Sequence, residues 1–435
     1  MRGGFDPDRL ARLGEVMTHH VADDRVGGLA WYVSRGEHVE VGAAGTLTRD
    51  EPARVGRDTI FRISSTTKPM TAAGALMLVE ECRLRLEDPV DDLLPELASR
   101  QVLVDARGAI DGATVPARRP ITVYDVLTFR CGLGMDFEAP WPQPLLEAMD
   151  ALGLGGGAPQ PQVPPAPDEW MRGLGTLPLL HQPGERWLYN IGFDVLGVLI
   201  ARASGEALAT FMRERVFEPL GMRDTGFSTD DVARLGTCYA TDPGTGGKST
   251  FDTPNGQWST PPAFPSGAAG LVSTVDDVSA FGRMMLAGGR LPDGSRLLSE
   301  ASVAAMTTDQ IGVDRGAAGP SPDGSKGWGM GVGVQVRRTG PGPSMWFLTA
   351  TTPIDEEHVE LRLLFLVRAS SEPGGLSPLD RAMIDATVEN TSRDVPIWEN
   401  KVYVERPPLV SDDGPIRELR RWARQFYPAP VEVDA

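Results

Sequence analysis

The sequence contains few of the residues on which many catalytic centres rely. It has five histidines, three cysteines and four lysines among 435 residues. No H-E-x-x-H or C-x-x-C occurs, which excludes the commonest zinc and dithiol motifs. No G-x-S-x-G occurs, which excludes the nucleophile turn of α/β-hydrolases. Any proton transfer that the chain performs is therefore expected to use a residue other than histidine.

The sequence also lacks long apolar runs and an excess of positive charge. No uninterrupted apolar stretch reaches the length of a membrane span, and the N-terminus has no apolar signal-peptide core. The formal net charge is −17, whereas phosphate binding needs clustered Lys and Arg. We therefore expect a globular, cytoplasmic protein that binds neither nucleic acid nor membrane.

Several segments have the periodicity of regular secondary structure. A short strand at 59–64 leads into an apolar helix at 66–81, with Pro69 in its first turn, where a missing N–H costs little. Residues 139–168 are rich in Pro and Gly and predict a long loop. The other predicted elements are helices at 6–21, 191–203 and 275–287, a hairpin at 28–35 and 37–43, and strands at 327–336, 345–351 and 357–367.

The sharpest local motif is S-x-x-K, formed by Ser65 and Lys68 at the start of the apolar helix. A serine hydroxyl needs a base to act as a nucleophile, and residues three apart share one helix face. With 22 serines and four lysines, chance predicts about 0.2 such matches in the chain. The alternative is a helix-capping serine followed by a solvated lysine. The placement favours a catalytic pair, because Lys68 is the only cation of its helix.

Five segments in a fixed order resemble the serine β-lactamase and penicillin-recognising family, in particular its class C-like (family VIII-type) esterase branch. The resemblance covers about residues 5–336. It implies a β-lactamase-like α/β (α+β) fold, an antiparallel sheet flanked by helices with a mostly helical subdomain. The segments are F-R-I-S-S-T-T-K-P at 61–69, L-E-D-P-V at 86–90, I-T-V-Y-D-V-L-T at 121–128, F-E-P-L-G-M at 217–222 and S-G-A-A-G-L-V-S-T at 266–274.

The resemblance also implies a second catalytic element in the segment P-G-E-R-W-L-Y-N-I-G at 183–192. Tyr189 would share the proton relay with Lys68, which would be the cation that an otherwise weakly acidic phenol needs. The alternative is a core aromatic at a helix start. Family members usually carry an amide two places after the tyrosine, where this chain has Ile191. Asn190 is the candidate substrate-binding amide, and the change favours ester hydrolysis over β-lactam turnover.

The third motif of the family supplies an oxyanion-hole N–H from an edge strand beside the nucleophile. The best match is Arg338-Thr339-Gly340, which follows the strand predicted at 327–336. Thr339 and Gly340 are therefore candidate substrate-binding residues. A hairpin turn is the alternative for the same three residues.

The tail, at about 345–435, resembles a different family, the C-terminal end of Rieske-type sterol oxygenases of the ketosteroid hydroxylase kind. The resemblance rests on residues 345–359, 397–401 and 413–422. A Rieske cluster and a mononuclear iron need Cys and His ligands, but the tail contains only His358. We therefore predict no cofactor and no metal, and a division into a hydrolase domain at 1–336 and an oxygenase-like remnant at 337–435 whose strands complete the sheet.

The leading prediction is a serine hydrolase that forms an acyl-enzyme on a small ester or lactam substrate. Ser65 would be the nucleophile, and Lys68 and Tyr189 would move the proton. Trp141, Trp170 and Trp258, expected in loops, are candidates to line an acyl pocket; the alternative for each is a partly buried loop aromatic. The alternatives are a catalytically impaired, penicillin-binding-like module and a Rieske-type oxygenase fragment.

Overall fold

The computed structural model describes residues 5–36, 38–242, 244–312 and 326–335, together with the backbone of 345–353 and 359–367. The chain divides into two compact units, Met1–Arg337 and Arg338–Ala435. Within the described segments no single helix has the length and apolar composition of a membrane span. Two consecutive helical segments, Ile191–Ser204 and Leu208–Leu220, have that length and composition only when taken together, and an 84° bend separates them.

The first unit alternates helices with short strands. Within the described residues its helices are α1 (Pro7–Ala22), α2 (Thr67–Glu80), α3 (Val123–Leu127), α4 (Pro144–Ala151), α5 (Pro167–Thr176), α6 (Ile191–Ser204), α7 (Leu208–Met212), α8 (Glu218–Leu220), α9 (Val275–Leu286) and α10 (Glu300–Thr307). Its strands are β1 (Gly28–Arg35), β2 (His38–Gly45), β3 (Phe61–Arg62), β4 (Gln101–Leu103), β5 (Thr114–Pro116), β6 (Cys238–Thr241), β7 (Lys248–Asp252), β8 (Val272–Ser273), β9 (Lys326–Trp328) and β10 (Gly333–Gln335).

The paired strands that the structure describes are antiparallel. β1 pairs with β2, β3 with β8, β4 with β5, β6 with β7 and β9 with β10. The second unit contains one such pair, β11 (Met345–Pro353) with β12 (Val359–Val367). The two predicted tail strands are therefore confirmed, while their role in completing the sheet of the first unit stays a prediction.

Local signals set the ends of several elements. Asp6 caps α1 by accepting hydrogen bonds from two backbone N–H groups of its first turn. Thr274 caps α9 by accepting one hydrogen bond from the backbone N–H of Asp277. α6 ends at Gly205, whose left-handed backbone (φ 75°) suits glycine. The predicted helices at 6–21, 191–203 and 275–287 and the N-terminal hairpin are confirmed.

The predicted strand at 327–336 is wrong in one respect. The segment folds back on itself as the β9–β10 pair, with Trp328 opposite Gly333. Gly331 makes the turn with a positive φ of 86°, a conformation that a residue with a Cβ rarely adopts. Alternation of side chains continues on both sides of a tight turn, so the pattern alone could not reveal the reversal.

The core lies between α2 and α6, which pack against each other. Eleven of the fourteen residues of α2 are buried, as are nine of the fourteen of α6. Both helices are apolar around most of their circumference, which is typical of helices enclosed by protein rather than helices on a surface. Lys68, a charged residue of α2, is therefore removed from water and is 1% exposed.

Candidate active site

Ser65 lies on a strained turn between β3 and α2. The turn is a short 3₁₀ segment, Ser64–Thr66, and Ser64 has a positive φ of 44°. A serine rarely adopts that backbone, and such strain is often stored where a side chain must be presented in a fixed direction. Ser65 is exposed, whereas Lys68, one turn later, is 1% exposed. The turn thus presents a hydroxyl at the surface directly above a buried amine.

Lys68 contacts three groups from three parts of the chain. Its Nζ lies 3.0 Å from Ser65 Oγ and donates to the carbonyl oxygen of Ala268 at 2.9 Å. It also lies 4.4 Å from the centre of the Tyr189 ring. Burial disfavours the ammonium and lowers the pKa of Lys68 to about 7, although the carboxylate of Asp194 acts in the opposite direction. A lysine in this state can accept a proton near neutral pH.

Tyr189 reaches the serine from the segment before α6. Its hydroxyl lies 2.8 Å from Ser65 Oγ. A two-bond bridge to Met135, with N–O distances of 2.8 and 2.9 Å, fixes its backbone. Gly134 makes this bridge possible, because a Cβ there would lie 2.5 Å from the carbonyl oxygen of Leu188. The structure therefore brings together the three residues predicted to act, Ser65, Lys68 and Tyr189.

Asn190 follows Tyr189 in an uncommon backbone conformation. Its φ and ψ are 82° and −67°, and the N–H of Ile191 donates to the carbonyl oxygen of Tyr189 at 3.3 Å. These values define a γ-turn with a positive central φ, which is rare and strained. Asn190 lines a small cavity with Asp194 and Ser266. Its predicted role in substrate binding stays a prediction, and Thr339 and Gly340 lie outside the described residues.

Aromatic rings surround Tyr189. The centres of Phe129, Phe137 and Trp187 lie 5.2, 5.3 and 5.6 Å from that of Tyr189, and Trp328 of β9 lies at 6.3 Å. Phe137 is 58% exposed, so one of these rings faces solvent beside Tyr189, whose hydroxyl is hydrogen-bonded to Ser65. The sequence reasoning missed this group, because its members come from four separate segments.

Of the three tryptophans that are candidates to line an acyl pocket, two lie in the core and one is exposed. Trp170 is in α5 rather than a loop, is 1% exposed, and donates from Nε1 to the carbonyl oxygen of Leu154. Trp258 is 2% exposed, and its Nε1 donates to the carbonyl oxygen of Gly270. Both indoles are thus satisfied core residues. Trp141 is 60% exposed in the loop before α4.

The hairpin β9–β10 packs on the helix that carries the lysine. A Cβ on Gly331 would lie 2.5 Å from the Cβ of Ala72 and 3.2 Å from the carbonyl oxygen of Lys68. The backbone of the turn therefore approaches α2 more closely than a side chain would allow.

No group of three or more His, Cys, Asp or Glu side chains within the described ranges is arranged to hold a metal ion.

A family model described as Beta-lactamase matches residues 13–357. The chain belongs to the β-lactamase family. A second model, 3-Ketosteroid 9alpha-hydroxylase C-terminal domain, matches residues 300–427 and overlaps the first. The resemblance predicted for the tail is therefore confirmed as a similarity that covers the smaller part of the chain.

Individual relatives agree with this assignment. Protein Rv1367c of Mycobacterium tuberculosis is 41% identical over 275 residues, 63% of this chain and 65% of that protein, so the match spans just under two thirds of the relative. Esterase EstB of Burkholderia gladioli is 32% identical over 342 residues, 74% of this chain and 78% of that protein. The solved structure of EstCE1, a hydrolase with promiscuous acyltransferase activity, superposes with a TM-score of 0.61 at 25% identity, covering 78% of this chain and 88% of EstCE1.

These similarities confirm the predicted β-lactamase-like fold for this β-lactamase-family chain. Helices flank small antiparallel strand pairs, as the sequence indicated. The buried Lys68, the exposed Ser65 and the phenol of Tyr189 belong to the part of the chain that the family model covers.

Proposed function

We propose that this chain is a serine esterase of the class C-like branch of its family, acting on small esters through an acyl-enzyme at Ser65. One observation supports the proposal above all. Ser65 Oγ lies within hydrogen-bonding distance of both Lys68 Nζ and the Tyr189 hydroxyl, and the amine is buried. A nucleophile, a base of lowered pKa and a second proton carrier are the parts that acyl transfer requires.

The proposed reaction has two halves. Neutral Lys68 accepts the proton of Ser65 as Oγ attacks the ester carbonyl. When the ester C–O bond breaks, that proton passes from Lys68 through Tyr189 to the leaving alkoxide, and Lys68 is neutral again. Water then attacks the acyl-enzyme and gives one proton to Lys68 through Tyr189; as the bond from Oγ to the acyl carbon breaks, that proton returns to Ser65 Oγ and the carboxylic acid leaves. The backbone N–H of Ser65, in the turn that leads into α2, is suited to stabilise the oxyanion.

An ester fits this site better than a β-lactam. Where the family pattern has an amide, the chain has Ile191, which is 2% exposed. A buried isoleucine offers no hydrogen bond to the amide that lactam substrates carry. The relatives EstB and EstCE1 are named an esterase and a hydrolase. We accordingly place small-molecule esters, rather than lactams, as the substrate class.

The remaining expectations belong to the same proposal. We propose a hydrolase domain at 1–336, and a tail at 337–435 that contributes strands to it. Thr339 and Gly340 would supply the second oxyanion donor, and the protein would work in the cytoplasm. The alternative, a catalytically impaired binding module, is favoured by one sequence feature: no Trp-x-Gly-Gly motif follows residue 340. A Rieske-type fragment is disfavoured, because His358 is the only histidine of the tail.

A covalent probe tests the proposal directly. We expect a fluorophosphonate to form one adduct, mapped to Ser65 by mass spectrometry, and p-nitrophenyl butyrate to be hydrolysed. The Ser65→Ala protein should give neither signal while keeping its circular dichroism spectrum. An adduct without turnover would favour the impaired binding module. No adduct in the folded protein would contradict the proposal, and iron bound in stoichiometric amount would favour the oxygenase fragment.

A further inference from the structure

α6 carries a carboxylate that the proposed reaction does not use. Asp194 is the only acidic residue of this apolar helix. Its Oδ1 accepts hydrogen bonds from the Ser266 hydroxyl at 2.5 Å and from the backbone N–H of Ala268 at 3.3 Å. A carboxylate that is partly removed from water is costly unless it is hydrogen-bonded or paired, and two donors of one loop supply such bonds to Asp194.

The loop that Asp194 holds is the one that contacts the lysine. The N–H of Ala268 donates to Asp194, and its carbonyl oxygen accepts from Lys68 Nζ at 2.9 Å. Ala268 therefore connects the two side chains: its N–H bonds to the Asp194 carboxylate, and its carbonyl oxygen bonds to the Lys68 amine. The adjacent peptide is fixed as well, because Thr71 Oγ1 donates to the carbonyl oxygen of Gly267 at 2.8 Å. A Cβ on Gly267 would lie 2.5 Å from the carbonyl oxygen of Phe193, so loop and α6 are in tight contact.

Charge links the same two residues. Burial raises the pKa of Asp194, whereas the hydroxyl of Ser266 and the charge of Lys68 act to lower it. In turn the carboxylate favours the protonated form of Lys68, against the burial that lowers the lysine pKa. Within the described residues, the titratable groups that face Lys68 are Tyr189 and Asp194. Removal of the Asp194 charge is therefore expected to lower the pKa of Lys68.

A small cavity borders the carboxylate of Asp194, which is half-buried. Asp194 lines a space of about 50 Å³ together with Asn190, Ser266 and the rings of Trp170 and Phe264. That volume has room for a few water molecules and is too small for an acyl chain. Asp194, which is half-buried, therefore keeps part of its surface open to this cavity.

We propose that Asp194 is a positioning residue of the Ser65 site, which holds the Ala268 carbonyl against Lys68 and places a negative charge behind the amine. This inference rests on the proposed function for its meaning in catalysis. The dependence of the Lys68 titration on the Asp194 carboxylate can be measured without any substrate.

The four lysines of the chain make that measurement practical. Lysine labelled with ¹³C at Cε gives four signals, and the Lys68→Met protein identifies the one from Lys68. We expect the midpoint of its pH titration to fall by roughly 1 pH unit or more in Asp194→Asn, because an opposite charge is lost while the shape is kept. Asp194→Glu, which keeps the charge, should retain a midpoint closer to that of the parent protein.

Two further variants keep the test decisive. Ser266→Ala removes the short hydrogen bond that favours ionised Asp194, so the Lys68 midpoint should move in the same direction by less. Asp276→Asn, in α9, removes a carboxylate that pairs with Arg57, and should leave the Lys68 signal unchanged. An unmoved Lys68 midpoint in both Asp194→Asn and Ser266→Ala would overturn the inference.

Enzyme kinetics separate this inference from the proposed function. The acidic limb of the kcat/KM profile should move to lower pH in Asp194→Asn, whereas a merely structural defect would reduce the rate at every pH without moving the limb. A shifted Lys68 signal without a Ser65 adduct would support the positioning and contradict the esterase. A Ser65 adduct with an unshifted Lys68 signal would support the esterase and contradict the positioning role of Asp194.

Discussion

Two sides of the candidate site differ in what surrounds them. On one side, α2 carries Lys68, which is 1% exposed, and α6 carries the half-buried Asp194. On the other side, Phe137 is 58% exposed. Tyr189 contacts both sides, through Ser65 and through the ring of Phe137. Burial changes the acidity of a group, and exposed rings can bind an apolar substrate, so the two sides suit different tasks.

The buried side should therefore control rate and its pH dependence, and the exposed side should control substrate affinity. A buried amine of lowered pKa is useful only if it must be neutral when it acts. An exposed ring contributes little to folding, because it is not removed from water. Variants on the two sides should separate kcat effects from KM effects.

The largest effect should come from protonating the buried amine. In the proposed reaction Lys68 acts in its neutral form, and its pKa is lowered to about 7 by burial. We expect kcat/KM for p-nitrophenyl butyrate to be constant above that pH and to fall about tenfold for each pH unit below it. Circular dichroism over the same range verifies that the protein stays folded. A profile flat between pH 5 and 9 would contradict the assignment of Lys68 as the base.

The second effect concerns the close approach of β9–β10 to α2. In Gly331→Ala the new Cβ would meet Ala72 and the carbonyl oxygen of Lys68, in a backbone with positive φ. We expect the free energy of unfolding to fall by ~2–4 kcal/mol, because both overpacking and the backbone are unfavourable. Urea denaturation measures it.

The matched control for this variant is Gly282→Ala in α9, where a Cβ would meet nothing within 4 Å. Alanine is favoured over glycine inside a helix, so this variant should be more stable by roughly 0.5–1 kcal/mol. Equal stability changes in the two variants would show that the turn does not constrain the helix of the lysine.

The smallest effect is expected on the exposed side. Phe137→Ala removes a ring that contacts Tyr189 and Trp187 at the surface. We expect KM for an aryl ester to rise about threefold to tenfold, which corresponds to an aromatic contact of ~1 kcal/mol, with kcat nearly unchanged. Leu286→Ala, a residue 88% exposed on α9, serves as control and should alter neither constant. A fall in kcat with unchanged KM would place Phe137 with the buried side instead.

Much of the site could be predicted because its signals are local. The S-x-x-K spacing, the strand before it and the apolar helix after it lie within one stretch of chain, and the helix ends follow capping residues. The ordered segments also placed Tyr189, although nothing near Tyr189 in the sequence indicates its distance from Ser65. The hairpin turn at Gly331 was missed, because side-chain alternation looks the same on both sides of a reversal.

The sequence by itself determined that Ser65 and Lys68 lie one helical turn apart, which is the spacing expected of a nucleophile and its base. Only the tertiary structure decided what surrounds them. The carbonyl of Ala268 lies 200 positions from Lys68 in the chain, and Asp194 reaches the same loop from a different helix. Such contacts depend on how helices and loops pack, and packing over long sequence separations leaves no local pattern from which to predict it.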